Sequence, residues 1–481
     1  MHWLLLGSTI VLILTGLSQY ATAPPEWSIF GGTLPAYFWP GRVHLIHAYA
    51  SLVFVPAVLA ATWIYLWQRE RYRLTHFLLL IGGLALVVSG LAMSEPPVSP
   101  NLYRTARWVH AIFGLGVVPA AFLVHLLEGL TRYRRALIAS FNPFSTPRVG
   151  PVAAFLVLAA LTTSGLLGGL PGHFPWRDLT VGRIAVPRRG LDLAELPWEE
   201  APSLVFGLAS GAGFPGGHTE VSLKALHDGQ DIYVLAQWRD ATEDRQYWPW
   251  KKTADGWQLL MTKEKDETVY YEDKFSLVFP VRPDWQFERF GCAASCHVDS
   301  GYAYGYKGCP GVIDSWHWKA TRTDPVGQVD DKYWSTIDFT LTDVGRYGDP
   351  SEGGGYKKNL ADDRSHPPFL PAVPGDVRQG MIPAKFAVPY TPKAADRIAP
   401  DTLVPGILAS KFLGDRGDVT CQSVYEGGQW RVIMRRKLDT GSPYDVKFTP
   451  GQVYCFGCAA FNRAAKRHAY NMSTYRLVLQ P

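Results

Sequence analysis

The chain has 481 residues, enough for two or three domains with a sizeable buried core. Charged residues make up only 19%, aromatic residues reach 13% with 17 Trp, and the formal net charge is +5. Long apolar runs fill the first 170 residues and mixed polar sequence the rest. This excludes wholesale disorder and a single soluble domain, and the lack of a basic block or nucleic-acid motif argues against DNA or RNA as a partner.

Five apolar runs read as membrane spans: His2–Tyr20, Val43–Trp67, His76–Met93, Trp108–Leu130 and Val149–Leu170. Each is long enough to cross a hydrocarbon core of about 30 Å at about 1.5 Å per residue. Ala21-Thr22-Ala23 resembles a signal-peptide cleavage site, but no Lys or Arg precedes the apolar run, so the first span is expected to be retained. Arg69, Arg71 and Arg73, and then Arg132, Arg134, Arg135 and Arg148, fall in loops on one side. The opposite side carries only Arg42, Arg104 and Arg107 near its span ends. The arginine-rich side is expected to be cytoplasmic, with the N-terminus inside. In a bacterium the fifth span then delivers the remaining chain to the periplasm.

The spans contain an internal repeat. His2-Trp3-Leu4-Leu5-Leu6 is followed by Thr15-Gly16-Leu17, and His76-Phe77-Leu78-Leu79-Leu80 by Ser89-Gly90-Leu91 at the same distance. His47-Ala48 precedes Val55-Pro56-Ala57, and His110-Ala111 precedes Val118-Pro119-Ala120 at identical spacing. Spans one-two and three-four thus read as two copies of one helical hairpin. His47 corresponds to His110 and His2 to His76, whereas His44 falls opposite Arg107, which argues against a ligand role for it.

Six of the 13 His residues lie within the first 130 positions. A lone intramembrane His can simply hydrogen-bond a neighbouring helix, but several at repeated depths point to bis-imidazole ligation of haem iron between helices. His47 and His110 form the expected ligand pair of an outer haem b. An inner haem b is expected to use two of His2, His76 and His125. His125 lies fifteen residues after His110, about 22 Å along a helix; the repeat instead favours His2 with His76.

Residues 1–135 resemble the di-haem cytochrome b subunits of membrane-bound formate dehydrogenase and nickel–iron hydrogenase. The resemblance rests on His2-Trp3…Thr15-Gly16-Leu17, on Arg42 five residues before His47, and on the His110/His125 pair. It implies His2, His47, His110 and His125 as haem ligands and a quinone or quinol partner. His76 matches the first-span pattern as well as His2 does.

Residues 172–481 read as β-rich. Val221–Leu226 and Ile232–Ala236 flank an Asp228-Gly229 turn, a strong hairpin signal. Further strands are expected at Phe275–Phe279, Ser335–Leu341, Gln429–Arg435, Gln452–Ala460 and Tyr475–Leu479. Residues 345–395, rich in Gly, Pro and charge, read as a long excursion between strands.

All six cysteines lie in this part, which suits an oxidising compartment. Cys292-Ala293-Ala294-Ser295-Cys296-His297 supplies two thiols for haem vinyl groups and an adjacent imidazole for the iron, with one residue more between the cysteines than the usual spacing. The motif predicts one covalent haem c on Cys292 and Cys296, with His297 on the iron; the alternative is a local disulfide. Cys455-Phe456-Gly457-Cys458 lacks a following His, and with Cys309 and Cys421 it is expected to supply structural disulfides.

Residues 195–481 also resemble the haem-binding γ subunit of ethylbenzene dehydrogenase and its c-type relatives. The resemblance rests on Ala225-Leu226-His227-Asp228-Gly229, Gln237-Trp238-Arg239-Asp240-Ala241-Thr242, Asp273-x-Phe275-Ser276-Leu277, Cys296-His297, Trp316-His317-Trp318-Lys319-Ala320 and the strand near His468. It implies an all-β sandwich with haem at its edge. It further implies that His297 and a residue just before the last strand are axial ligands; His468 takes the second position, with Met472 and His317 as rivals.

The expected organisation is a multi-domain membrane protein. Residues 1–135 form a four-helix di-haem core, 136–171 a cytoplasmic loop and fifth transmembrane helix, and 172–481 a periplasmic β-sandwich with haem c. No nucleophile–base pair, nucleotide loop or catalytic metal signature stands out. The expected role is electron relay between quinone and a periplasmic cytochrome or redox-complex subunit. Two other classes stay open: a haem-bearing anchor subunit of a larger, molybdenum-type oxidoreductase or of a respiratory or photosynthetic complex, and a structural assembly subunit.

Overall fold

The computed structural model describes residues 2–22, 46–47, 50–51, 53–59, 74–94, 100–132, 177–185, 192–262, 268–284, 287–288, 291, 311–335, 346–373, 380–470 and 474–481. The chain divides into two compact units, one within residues 1–173 and one within 174–292 and 309–481. The expected fifth span, Cys292, Cys296, His297, Cys309 and Met472 lie outside the described residues, as does all but Ser335 of the strand expected at Ser335–Leu341.

The first unit is helical. Helix α1 spans His2–Thr22 and α2 spans Leu74–Ser94. Helix α3 (Pro100–Ile112) runs through a π-helical turn, Phe113–Val117, into α4 (Val118–Arg132). The helix that carries the fourth span expected from Trp108 therefore starts about two turns earlier, at Pro100. The described parts of 46–59 are also helical. A Cβ at Gly83 would lie 2.9 Å from Val58, so glycine is what lets this segment pack closely on α2. Two stretches, Leu74–Met93 and Thr105–Arg132, are long and apolar enough to cross a membrane. Large apolar side chains such as Leu74, Val88, Leu91 and Leu123 stand exposed on them, as lipid-facing residues would.

The second unit is built on one sheet of twelve strands. In chain order these are β1 Asp178–Arg183, β2 Leu204–Leu208, β3 Thr219–His227, β4 Asp231–Arg239, β5 Lys274–Pro280 and β6 Ile313–Lys319. They continue with β7 Asp330–Trp334, β8 Arg346–Gly348, β9 Thr420–Glu426, β10 Gln429–Lys437, β11 Val453–Phe461 and β12 Tyr475–Leu479. The sheet order is β8-β7-β6-β5-β11-β12-β1-β3-β4-β10-β9, with β2 paired to β3. Strand β1 runs parallel to both neighbours; the other pairs of this sheet are antiparallel.

Strand β11 joins the two arms of the sheet. Its first half, Val453–Phe456, pairs with β12, and its second half, Gly457–Phe461, with β5. Side chains from the two arms meet in one aromatic core. Trp238 of β4 stacks on Phe275 of β5 at 5.0 Å and meets Trp318 of β6 edge-on at 5.7 Å. Trp430 of β10 lies 4.9 Å from Trp318. All four rings are fully buried, each contributing on the order of 2–3 kcal/mol of apolar burial.

The expected hairpin forms as β3 and β4. Asp228 fixes its turn by accepting hydrogen bonds from the Gln230 and Asp231 amides, both at 2.8 Å, and from the Tyr233 hydroxyl at 2.8 Å. Residues 345–395 depart from expectation. They carry short strands at Gly353–Lys358, Phe369–Pro371, Ile382–Pro383 and Ala387–Pro389, and α5 at Pro392–Ala395. These pack with Ile407–Leu413 around a separate core of Trp250, Leu370, Ile382, Ala395, Ile398 and Leu408. The glycine run that reads as a breaker is a β-bulge: register shifts between Gly353 and Gly355, and a Cβ on Gly354 would sit 1.8 Å from the Lys411 carbonyl oxygen.

The disulfide expectation is corrected. None of Cys421, Cys455 and Cys458 forms a disulfide. Cys455 and Cys458 are three residues apart on β11, so their side chains leave opposite faces of the sheet. Cys421 is buried, and its thiol donates to the Gln328 carbonyl at 3.2 Å.

Candidate functional site

Among the described residues of the helical unit, four histidines meet in two pairs. The rings of His47 and His110 have centroids 6.2 Å apart and planes tilted by 59°. Thr15 Oγ1 lies 2.7 Å from His47 Nδ1, and Ser89 Oγ lies 2.9 Å from His110 Nδ1. Thr15 and Ser89 are the matched positions of the sequence repeat, so the repeat is a repeat of contacts.

The hydroxyls also reach their own helices: Thr15 Oγ1 lies 2.7 Å from the Val11 carbonyl oxygen, and Ser89 Oγ 2.6 Å from that of Ala85. With the single hydroxyl proton given to the helix carbonyl, each hydroxyl accepts from Nδ1–H, and Nε2 is then the lone-pair nitrogen of His47 and His110. Gly90 leaves room for this arrangement: a Cβ there would lie 3.3 Å from His110 Cε1. The 6.2 Å between the ring centroids leaves room for one metal ion that both rings could hold at about 2.0 Å. The sequence shows Thr15 and Ser89 as repeat markers, but their role as hydrogen-bond partners appears only in three dimensions.

The second pair is His76 and His125, edge to face with centroids 4.6 Å apart. Of the three inner candidates the structure brings these two together; the His2 side chain lies outside the described residues. An iron between them would require the rings to part by more than ~1 Å. The π-helical turn Phe113–Val117 lies between His110 and His125 and resets the angular register of one relative to the other.

In the β unit, His468 packs against Phe461, with centroids 4.7 Å apart, and against Tyr470 at 5.7 Å. Its Nδ1 donates to the Lys466 carbonyl at 3.0 Å, which again makes Nε2 the lone-pair nitrogen. Burial, with Arg346 and Lys274 nearby, lowers its pKa to about 4, so the ring is neutral at pH 7. A neutral imidazole of this tautomer fits an axial haem ligand. His317 also stacks on Phe461, with centroids 5.6 Å apart. Burial also holds its pKa well below the ordinary value, with Lys319 and Lys274 adding to the effect.

The segment bearing His468 is anchored by two of the motif carboxylates. Asp240 Oδ1 accepts from Asn462 Nδ2 at 2.7 Å. Asp273 accepts from the Arg463 amide at 2.8 Å, from the Asp244 amide at 2.8 Å and from Trp430 Nε1 at 3.0 Å. These motif positions therefore hold the loop in place.

The β-rich unit sets a histidine before its last strand and is carried by a chain that also has helices long and apolar enough to cross a membrane. The family model described as ethylbenzene dehydrogenase matches residues 196–473, over half of the chain, and the chain belongs to that family. No curated protein matches it. Among solved structures, a family 9 carbohydrate-binding module from Caldicellulosiruptor kristjanssonii in complex with cellotriose is 11% identical, covering 63% of this chain and 93% of that chain with a TM-score of 0.25. The same module with glucose is 11% identical over 63% and 95% of the two chains, also at 0.25. Likeness at that level carries no argument about this chain.

Proposed function

We propose that this protein is a five-span membrane cytochrome that relays electrons between quinone and an extracytoplasmic redox partner. The observation that carries this reading is the repeated contact pair: Thr15 on His47 and Ser89 on His110, with the two rings 6.2 Å apart. A core packing role needs neither the matched tautomers nor that separation.

In this reading His47 and His110 hold one haem b, and His76 with His125 the other. Cys292 and Cys296 attach haem c, with His297 and His468 on its iron, in a β-sandwich. Haem supplies one-electron transfer, and two imidazoles on each iron leave no position for substrate. The protein residues then do the tuning: Thr15 and Ser89 keep the Nδ1 protons in place, and Asp240 and Asp273 hold the segment that presents His468. The quinone partner rests on the resemblance of residues 1–135 to di-haem cytochrome b subunits. A pyridine haemochrome spectrum is expected to resolve b and c haem in about a 2:1 ratio; absence of haem b from the intact protein would overturn the reading.

A second reading is favoured by the family of residues 196–473. The chain would then be the haem-bearing membrane subunit of a larger oxidoreductase, with the same ligands but exchanging electrons with a catalytic partner. Co-purification from native membranes separates the two: a stoichiometric molybdenum-containing partner supports the second, and quinol:cytochrome activity of the isolated chain supports the first.

A further inference from the structure

Five aspartates from distant parts of the β unit converge beyond the sheet core: Asp314 on β6, Asp331 on β7, Asp349 just after β8, Asp418 just before β9, and Asp445 between β10 and β11. Asp314, Asp331 and Asp445 bring carboxylate oxygens within 4.8 Å of one another, and Asp415, Asp418 and Asp445 form an overlapping group. Asp314 and Asp331 are fully buried, and Asp445 is 5% exposed.

Each member of the first trio uses one oxygen for the fold. Asp314 Oδ2 accepts from Arg436 Nη1 at 2.5 Å and from the Val446 amide at 3.0 Å. Asp331 Oδ1 accepts from the Lys332 amide at 3.0 Å, and Asp445 Oδ2 from Thr440 Oγ1 at 2.6 Å. The second oxygen of each is buried and accepts no hydrogen bond. A separate observation points the same way. Asp349 is 3% exposed, and neither of its carboxylate oxygens has a hydrogen-bond donor. It lies so close to Asp445 that the two could bond only by sharing a proton. Asp418 stands in the same relation to Asp331, and both of its oxygens are also without a donor.

The opposite face shows what a purely structural acid looks like here. Asp330, the residue before Asp331, is neutralised by Lys319, by Arg416 at 2.7 Å and by the Tyr356 hydroxyl at 2.8 Å. On the Asp331 face, Arg436 is the only cation among the described residues that ion-pairs with any of the five aspartates. Buried like charges repel strongly unless a proton or a cation stands between them.

We propose that this cluster is a divalent-cation site that binds calcium. The donors are all carboxylate oxygens, without His or Cys, which selects a hard cation over zinc or copper. Seven buried oxygens lack donors, and calcium takes about 6–8 oxygens where magnesium demands six in a tight octahedron. The ion would tie β6, β7 and the segments carrying Asp349, Asp418 and Asp445 into one corner of the sheet.

The test uses the detergent-solubilised full-length protein, chelated and desalted, with terbium(III) as the calcium probe. Trp316 is fully buried, and its ring packs against the Arg436 guanidinium at 4.9 Å, so excitation of Trp should sensitise bound terbium. Luminescence is expected to saturate at one site and to be displaced by calcium but not by equimolar magnesium. Asp331→Asn and Asp349→Asn should each weaken binding at least ~10-fold, whereas Asp362→Asn, on an exposed loop elsewhere, should not. Calcium should also raise the unfolding temperature of the wild-type protein, and the chelator reverse it. If wild type binds neither ion and chelation leaves unfolding unchanged, the cluster is held by protons and Arg436 alone and the proposal is overturned. It is equally overturned if folded Asp331→Asn and Asp349→Asn retain wild-type affinity. Should both variants fail to fold, the wild-type titration and chelation decide.

Discussion

Removing the hydroxyl from Ser89 tests the haem b reading without touching a ligand. Ser89 lies 2.9 Å from His110 Nδ1, and Thr15 lies 2.7 Å from His47 Nδ1. A hydrogen bond from Nδ1–H makes an imidazole a stronger donor to iron and favours the ferric state. Such a bond has a net worth of about 1 kcal/mol. At about 59 mV per factor of ten for a one-electron couple, the full bond corresponds to roughly 40 mV. Because the bond persists partly in both oxidation states, Ser89→Ala and Thr15→Val should each raise one b-haem midpoint by about 20–40 mV. Thr131 donates to the Leu127 carbonyl at 2.7 Å and touches no histidine, so Thr131→Val is the control. Redox titration of the purified protein, followed at the b-haem absorption band, reads the shift. A lowered midpoint, or a variant that keeps its haem with an unmoved potential, would refute the reasoning.

Replacing His47 or His110 by Ala should remove one b haem and leave the covalent haem, as read by haemochrome spectra; His76→Ala should remove the other, whereas full b content in these variants would dismiss the pairing. A reporter fused at Pro143 should be cytoplasmic and one fused after Pro481 periplasmic; protease protection showing the opposite would overturn the five-span topology. His468→Met should keep the covalent haem and raise its potential, because thioether favours ferrous iron, and Met472→Ala should do neither; the reverse pattern in spectroelectrochemistry would make Met472 the ligand. Burial, with Asp244 adding to it, raises the Asp240 pKa to about 7. A carboxyl raised in the folded state stabilises at low pH, so this contribution is full below about pH 4 and is lost as pH rises through about 7. Asp240→Asn should flatten that part of the stability profile, and denaturant midpoints with unchanged pH dependence would count against it.

The sequence by itself determined the local elements and their repetition. Apolar runs of span length, the Asp228-Gly229 turn and the alternation of Tyr475–Leu479 report on backbone period and nearby chemistry, which are properties of contiguous residues. The matched hairpins likewise pair His47 with His110 from the sequence alone. Which distant side chains meet is decided only by the tertiary structure. His76 and His125 are 49 positions apart in the chain, and nothing local tells which inner histidines share a level; helix packing brings their rings together. Cys455 and Cys458 look like a bridge in sequence, yet the strand period sends them to opposite faces. The Gly353–Gly355 run reads as a loop because glycine marks both loops and bulges, and the partner strand that distinguishes them lies more than fifty residues away. The five aspartates carry no motif at all. They become a cluster only when strands β6 and β7 and three connecting segments close around the same corner, because buried charge is a property of the fold and not of any stretch of chain.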